Sequence, residues 1–219
     1  MKQIATAMLL SVGLSGLAQA QGELTGNLGV TSNYIWRGVT QTEDQSAVQG
    51  GIDYNHDANL YAGAWTSSYG NGDGYELDLY GGYRGTVGDI PFDAGLIMYR
   101  FPVANSGSDA TEVYGKFDFD LFSVMAAYTL SKDGTSQDND IYLSIGTDAA
   151  LGNDLYATFL FGMYELDNSA EEDYNHIHVA LKKDEFTFAL DKNDKDRPVG
   201  ADPGAMRVSV SWAREFDFR

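Results

Sequence analysis

The chain has 219 residues, enough for one domain or two small ones, and carries 14 Lys and Arg against 32 Asp and Glu, a formal charge of -18. That balance argues against nucleic acid as the main partner, because a phosphate-binding surface needs clustered Lys and Arg. The absence of Cys excludes disulfide scaffolds, zinc-thiolate sites and thiol catalysis, and 25 Gly, 4 Pro and 13% aromatics suit strands and turns better than disorder.

At the N-terminus, Lys2 supplies the only positive charge, residues 7–14 are apolar, and Ala18-Gln19-Ala20 fits a small-x-small cleavage site. This predicts a secretory signal peptide over 1–20, cleaved after Ala20, with the mature domain over 21–219. No Cys follows the apolar segment, so no lipoprotein anchor is expected. Elsewhere no apolar run approaches the ~20 residues of a membrane helix.

The mature chain alternates with the period of a strand whose two faces differ. Leu24, Leu28, Val30, Tyr34 and Trp36 oppose Thr25, Asn27, Thr31, Asn33 and Arg37. Tyr75, Leu77, Leu79 and Tyr83 oppose Glu76, Asp78, Tyr80 and Arg84. The pattern continues with Val113 and Phe117 against Glu112, Tyr114 and Lys116, and with Ile141, Leu143 and Ile145 against Asp140, Tyr142 and Ser144. Near the end, Val208, Val210 and Trp212 oppose Arg207, Ser209 and Ser211. No segment holds a 3.6-residue period. About twelve strands are predicted, near 24–37, 47–56, 60–68, 75–87, 90–101, 110–119, 121–131, 139–147, 154–165, 174–183, 186–193 and 205–218. The segment 90–101 puts apolar groups on both faces, so its register stays open.

The connections alternate. Those around His56, Gly88, Asp120 and Asp184 are short and the one near 147–153 is intermediate. Those at 38–46, 67–74, 102–109, 131–138, 165–173 and 194–204 are longer and polar. In an up-and-down barrel every second connection lies at the same rim. The chain therefore reads as an all-β, antiparallel transmembrane β-barrel with short periplasmic turns and long extracellular loops. A soluble β-sandwich also alternates, but its Greek-key crossings break the strict succession of tight and long links. In lipid every backbone group must be paired, which closure achieves, and the outer face must be apolar. Tyr34, Trp36, Tyr75, Trp212, Phe216 and Phe218 sit at expected strand ends, where interfacial aromatic girdles form.

The segment Gly29-Val30-Thr31-Ser32-Asn33-Tyr34-Ile35-Trp36-Arg37-Gly38-Val39-Thr40-Gln41 resembles the TorF family of porins. So do Gly51-Ile52-Asp53-Tyr54, Leu60-Tyr61-Ala62-Gly63-Ala64-Trp65 and Glu76-Leu77-Asp78-Leu79-Tyr80-Gly81-Gly82-Tyr83. The resemblance implies an outer-membrane barrel that forms a pore. It brings no substrate and no established functional residues.

The polar parity gives the expected pore lining: Arg37, Asp53, Glu76, Asp78, Arg84, Glu112, Lys116, Asp118, Asp140, Lys182, Asp191, Arg207 and Glu215. Acids outnumber bases there, which predicts a mild cation preference if the lumen is open. Twelve strands fall between eight, where side chains fill the interior, and sixteen, where a channel is usual, so salt bridging across a closed lumen is the alternative. The acidic loop residues Glu43, Asp44, Asp167, Glu171, Glu172 and Asp173 read as solvated loop or pore entrance. His176 and His178 share a parity without a third ligand, so no metal site is assigned. No Ser can be tied to a His, and no cofactor or catalytic centre is expected.

The sequence thus predicts a porin of a Gram-negative outer membrane, passing small hydrophilic solutes or ions. Expected partners are outer-membrane lipid, lipopolysaccharide and the barrel-assembly machinery, with no nucleic acid. A closed structural or adhesive barrel acting through acidic loops, and a lipid-acting enzyme, are the other classes.

Overall fold

The computed structural model describes residues 22–70, 74–103, 109–133, 139–167, 172–195 and 204–218. The expected signal peptide lies outside these residues, as does Glu171. In chain order the strands are β1 (Gly22–Thr31), β2 (Ile35–Trp36), β3 (Val39–Thr40), β4 (Ala47–His56), β5 (Leu60–Tyr69), β6 (Gly74–Val87), β7 (Ile90–Arg100), β8 (Ala110–Asp118), β9 (Ser123–Lys132), β10 (Ile141–Gly152), β11 (Leu155–Glu165), β12 (Tyr174–Lys183), β13 (Phe186–Asn193) and β14 (Arg207–Asp217). No helix occurs among the described residues.

Twelve strands form one closed antiparallel barrel, in which β1 pairs with β14 on one side and β4 on the other. Closure leaves no edge strand with unpaired amides and carbonyls. The short strands β2 and β3 form a separate two-stranded hairpin between β1 and β4.

Register puts like faces together around the barrel. Phe92, Phe117, Val124, Ile145, Phe161 and Ile177 are successive cross-strand partners, forming an apolar row on the outside. The opposite parity carries the row Tyr80, Ile97, Glu112, Thr129, all buried in the interior. This arrangement inverts a water-soluble barrel: Val48, Leu79, Leu143, Phe159, Phe188 and Val208 are exposed outward, while Asp53, Glu76, Asp78, Glu112 and Asp191 are buried.

The tight turns use residues that accept a left-handed backbone. Gly152 pairs with Leu155, and the two residues between them, Asn153 (φ 52°) and Asp154 (φ 58°), make a turn with both central φ values positive. Gly88 (φ 62°) serves the β6–β7 turn, where Val87 pairs with Ile90. The connection expected to be intermediate is therefore as tight as the others, because β10 runs on to Gly152 instead of ending near 147. The open register at 90–101 is also fixed: Ile97 points inward at 3% exposure, opposite Tyr80 and Glu112.

The largest departure from the expected strands lies after β1. It ends at Thr31, not at residue 37. The Thr31 hydroxyl donates to the Asn33 carbonyl at 2.9 Å, the Asn33 amide returns to Thr31 Oγ1, and the chain leaves the wall for the interior. Tyr34 and Trp36 therefore cannot belong to a lipid-facing girdle. Tyr34 is 5% exposed and packs edge-on against Trp65, and Trp36 packs against Tyr99 and Tyr164. The other girdle candidates sit on β6, β14 or just beyond it: Tyr75, Phe216 and Phe218 are exposed, and Trp212 is half-buried opposite Val30.

Candidate functional site in the barrel interior

Strands about 4.8 Å apart and tilted by about 40° give twelve of them a backbone radius of about 12 Å. Wall side chains alone leave space at the axis of such a cylinder. Here the chain between β1 and β4 enters that space. Its tip is the β2–β3 hairpin, in which Trp36 pairs with Val39 and the two turn residues are Arg37 (φ 47°) and Gly38 (φ 77°). Two positive φ values in a row define the same turn class as Asn153-Asp154. An arginine in the first position is costly, because its Cβ crowds the backbone there.

The Arg37 guanidinium crosses the interior to β8. Nη1 and Nη2 donate to the two carboxylate oxygens of Glu112 at 2.9 and 2.6 Å, a bidentate pair that is almost wholly buried. The guanidinium carbon also lies 4.2 Å from the ring centres of Trp36 and Tyr142 and 4.9 Å from that of Tyr164. Glu112 accepts two longer bonds, from Tyr99 Oη at 3.2 Å and Thr129 Oγ1 at 3.4 Å.

The rest of the inward segment is bolted to the wall. Asn193 of β13 donates to the Gly38 carbonyl at 2.6 Å, and Arg207 of β14 pairs with Asp44 at 2.6 Å. Asp44 also accepts from Asn33 Nδ2 at 2.7 Å. Gly38 lies against His176, where an added Cβ would come within 2.5 Å of the histidine Cβ. His176 in turn meets the Tyr142 hydroxyl at 3.0 Å.

The interior holds two chambers, and the hairpin borders the outer one through Trp36 and Val39. The outer one, toward the long loops, has a volume of about 290 Å³ and is lined in part by Trp36, Tyr69, Glu76, Asp140, Tyr164 and Tyr174. The inner one, toward the tight turns, has about 120 Å³ and is lined in part by Tyr61, Tyr80, Arg84, Asp93 and Lys116. Tyr99 and Glu112 line both, so the Arg37 contact sits at the level where the chambers meet.

The remaining residues of the expected lining distribute over this interior. Asp53 accepts from Tyr80 Oη at 2.5 Å. Arg84 pairs with Asp93 at 3.2 Å, donates to Asn55 at 2.8 Å and lies 4.0 Å over the Tyr61 ring. Lys116 pairs with Asp118 at 2.6 Å along β8, and Asp140 with Lys132 at 3.2 Å. Asp191 meets His178 Nδ1 at 2.8 Å. Lys182 and Glu215 carry the interior parity to the tight-turn mouth, where both are exposed. Glu76 and Asp78 lie side by side on β6, buried and outside these ion pairs. Arg37 belongs to no wall strand; it is inside because the whole hairpin is.

Periodicity did not single out Asp93, whose Oδ1 accepts from Tyr61 Oη at 2.5 Å, because its strand looks apolar on both faces. Nor did it identify the aromatic content of the interior as functional. Tyr61, Trp65, Tyr80, Tyr99, Tyr114, Tyr142, Tyr164 and Tyr174 all point inward and form two packed clusters with the hairpin. A signal existed: Tyr80, Tyr114 and Tyr142 stand on the charged parity of their strands.

The family model described as "Bacterial protein of unknown function (Gcw_chp)" matches residues 17–198. No curated protein matches the chain. Among solved structures, a KdgM porin aligns over 89% of this chain and 99% of its own, with a TM-score of 0.56 at 8% identity. A KdgM porin in complex with disordered oligogalacturonate aligns over 90% and 99%, with a TM-score of 0.51 at 8% identity. A third structure, from work on the in-meso crystallization of membrane proteins, aligns over 89% and 83%, with a TM-score of 0.55 at 12% identity. At these identities the likeness is one of fold, the twelve-stranded porin barrel. Neither the family description nor these structures carries the TorF name, so the resemblance read from the sequence stands as a porin-like fold and not as that designation.

Proposed function

The chain belongs to the Gcw_chp family, and from the geometry of its barrel we propose that it is an outer-membrane diffusion channel for small hydrophilic solutes or ions, with a mild preference for cations. The observation that carries this reading is the inversion of the two faces. An apolar outer belt of this extent is unstable in water and stable against lipid chains, while the ionised parity needs water or paired charge. The rest of the setting follows from the same proposal: export with loss of residues 1–20, assembly in a Gram-negative outer membrane by the barrel-assembly machinery, and loops beside lipopolysaccharide.

Selectivity would be set in two stages. The inward hairpin limits size, since a solute must pass Arg37, Tyr99 and Glu112 at the junction of the chambers. Charge then acts at short range, where ionised walls in a confined aqueous path are least screened. Asp53, Glu76, Asp78, Glu112, Asp118, Asp140, Asp191 and Glu215 oppose Arg37, Arg84, Lys116, Lys182 and Arg207, which leaves the lining acidic. Oligogalacturonate, the ligand of one structural neighbour, is a polyanion. An acidic lining disfavours such a polymer, so the shared fold is proposed here to serve a different class of solute.

A second reading has a specific observation behind it. The hairpin is held by one bidentate ion pair, one buried amide–carbonyl bond and several ring contacts, which suits a structural barrel with a shut lumen. Liposome swelling separates the two. Vesicles containing the refolded protein should swell in small neutral and cationic solutes and resist larger or anionic ones. Failure to swell in any solute would favour the shut barrel.

A further inference from the structure

We infer that the outer chamber holds a binding site for a small organic cation bearing N–H donors, an alkylammonium or guanidinium group, centred on Glu76. The inference rests on the channel reading, because it supposes that solutes reach the chamber from the long-loop side.

The interior already shows how such a group is held. Arg37 is bound by one carboxylate, Glu112, and by the faces of Trp36, Tyr142 and Tyr164. On β6 the same ingredients recur without the guanidinium. Glu76 lines the chamber and is 3% exposed. Asp78 follows two residues later on the same face and is 6% exposed. Around them stand tyrosines: the Tyr34 hydroxyl bonds to Glu76, and Tyr69 and Tyr99 lie within electrostatic reach.

Their acceptor capacity is not used up. Glu76 Oε2 and Asp78 Oδ1 are buried and have no hydrogen-bond partner. The two carboxyl groups also hydrogen-bond each other, which takes one oxygen of each; the remaining buried oxygens are costly to leave unsatisfied, and the pair repels when both groups are ionised. The charged groups that line the chamber have other engagements: Lys132 pairs with Asp140, Lys195 lies 4.4 Å over the Tyr174 ring, and Glu112 is taken by Arg37. A cation with N–H donors in the chamber meets the Glu76 carboxylate directly, with Asp78 behind it on the same strand face, and stands beside the aromatic lining that Trp36, Tyr69 and Tyr99 provide. A quaternary ammonium supplies the charge but no donor, and a sugar supplies donors but no charge.

The test is isothermal titration of the refolded full-length protein in detergent at low ionic strength, with putrescine as probe and 1,4-butanediol as its uncharged counterpart. Putrescine should bind saturably and butanediol should not. Glu76→Gln should weaken putrescine by about tenfold or more, the scale of a hydrogen bond to a charged group. Asp78→Asn, a second route to the same site should the first variant fold poorly, should act in the same direction. Asp184→Asn, in the tight β12–β13 turn at the opposite rim, should leave affinity within about twofold. Equal binding of the two probes, no saturable heat, or full affinity in both β6 variants would overturn the site: no heat would mean that the carboxyl pair is satisfied by a shared proton, and full affinity in both variants that putrescine binds elsewhere. Conductance measured on the same preparation keeps the two proposals apart. Channel steps without putrescine binding would overturn this inference alone.

Discussion

Arg37 is the residue on which the interior turns. It occupies a left-handed position that Asn, Asp or Gly would fill at less cost, and its side chain is spent on one buried carboxylate and three rings. Strain of this kind persists only where surrounding contacts over-determine it. Replacing Arg37 by Ala removes a cation and leaves Glu112 buried without its partner. Breaking a buried pair in this way costs about 3–5 kcal/mol, which should appear as a lower urea midpoint for unfolding from bilayers. The same variant should conduct more and favour cations more strongly than the parent in single-channel records. Gly38 is constrained from the other side. A methyl group there meets His176 at 2.5 Å in a backbone with φ of 77°. Gly38→Ala should therefore lift the hairpin from β12 and raise conductance with the charge at residue 37 unchanged.

At the scale of elements, the wall was legible and the hairpin was not. Strand alternation marks β4, β12 and β13 to the residue, and the succession of tight and long links reveals the up-and-down order. The inward segment escaped for a physical reason. Leu28, Val30, Tyr34 and Trp36 continue one parity, so β1 reads as running to residue 37. The break is made by the Thr31–Asn33 side-chain turn, and the hairpin has two-residue strands closed by Arg37-Gly38, which lacks the Asn or Asp of a usual turn signal. The candidate lining was legible wherever a charge lay on a wall strand. Asp93 was hidden by apolar neighbours, and the partners of Arg37 became visible only in three dimensions. Replacing residues 34–41 by a short Gly-Ser link should leave the barrel closed, with unchanged far-ultraviolet circular dichroism and heat-shifted mobility in gels. It should abolish the barrier between the chambers, seen as a severalfold larger single-channel conductance.

For the whole molecule the decisive property is which face meets which solvent. Ile145 and Phe161 are paired neighbours on the outer surface, in the middle of the apolar row. Ile145→Arg should lower folding stability in bilayers by about 2–4 kcal/mol, the cost of a charge at mid-depth on the lipid face, measured by equilibrium unfolding in liposomes. In a soluble barrel the same exposed position would tolerate arginine within about 0.5 kcal/mol. The comparisons place the chain in a family without an assigned activity and give its barrel the porin fold.

The central claim is that this barrel conducts, and that its acidic interior sets the preference. The most direct measurement is the reversal potential of the refolded mature protein in a planar bilayer, with potassium chloride more concentrated on one side. The account predicts discrete current steps and a reversal potential of the sign that favours potassium, shifted further that way by Arg37→Ala and back by Glu112→Gln. Insertion without current, or steps that favour chloride, would contradict it.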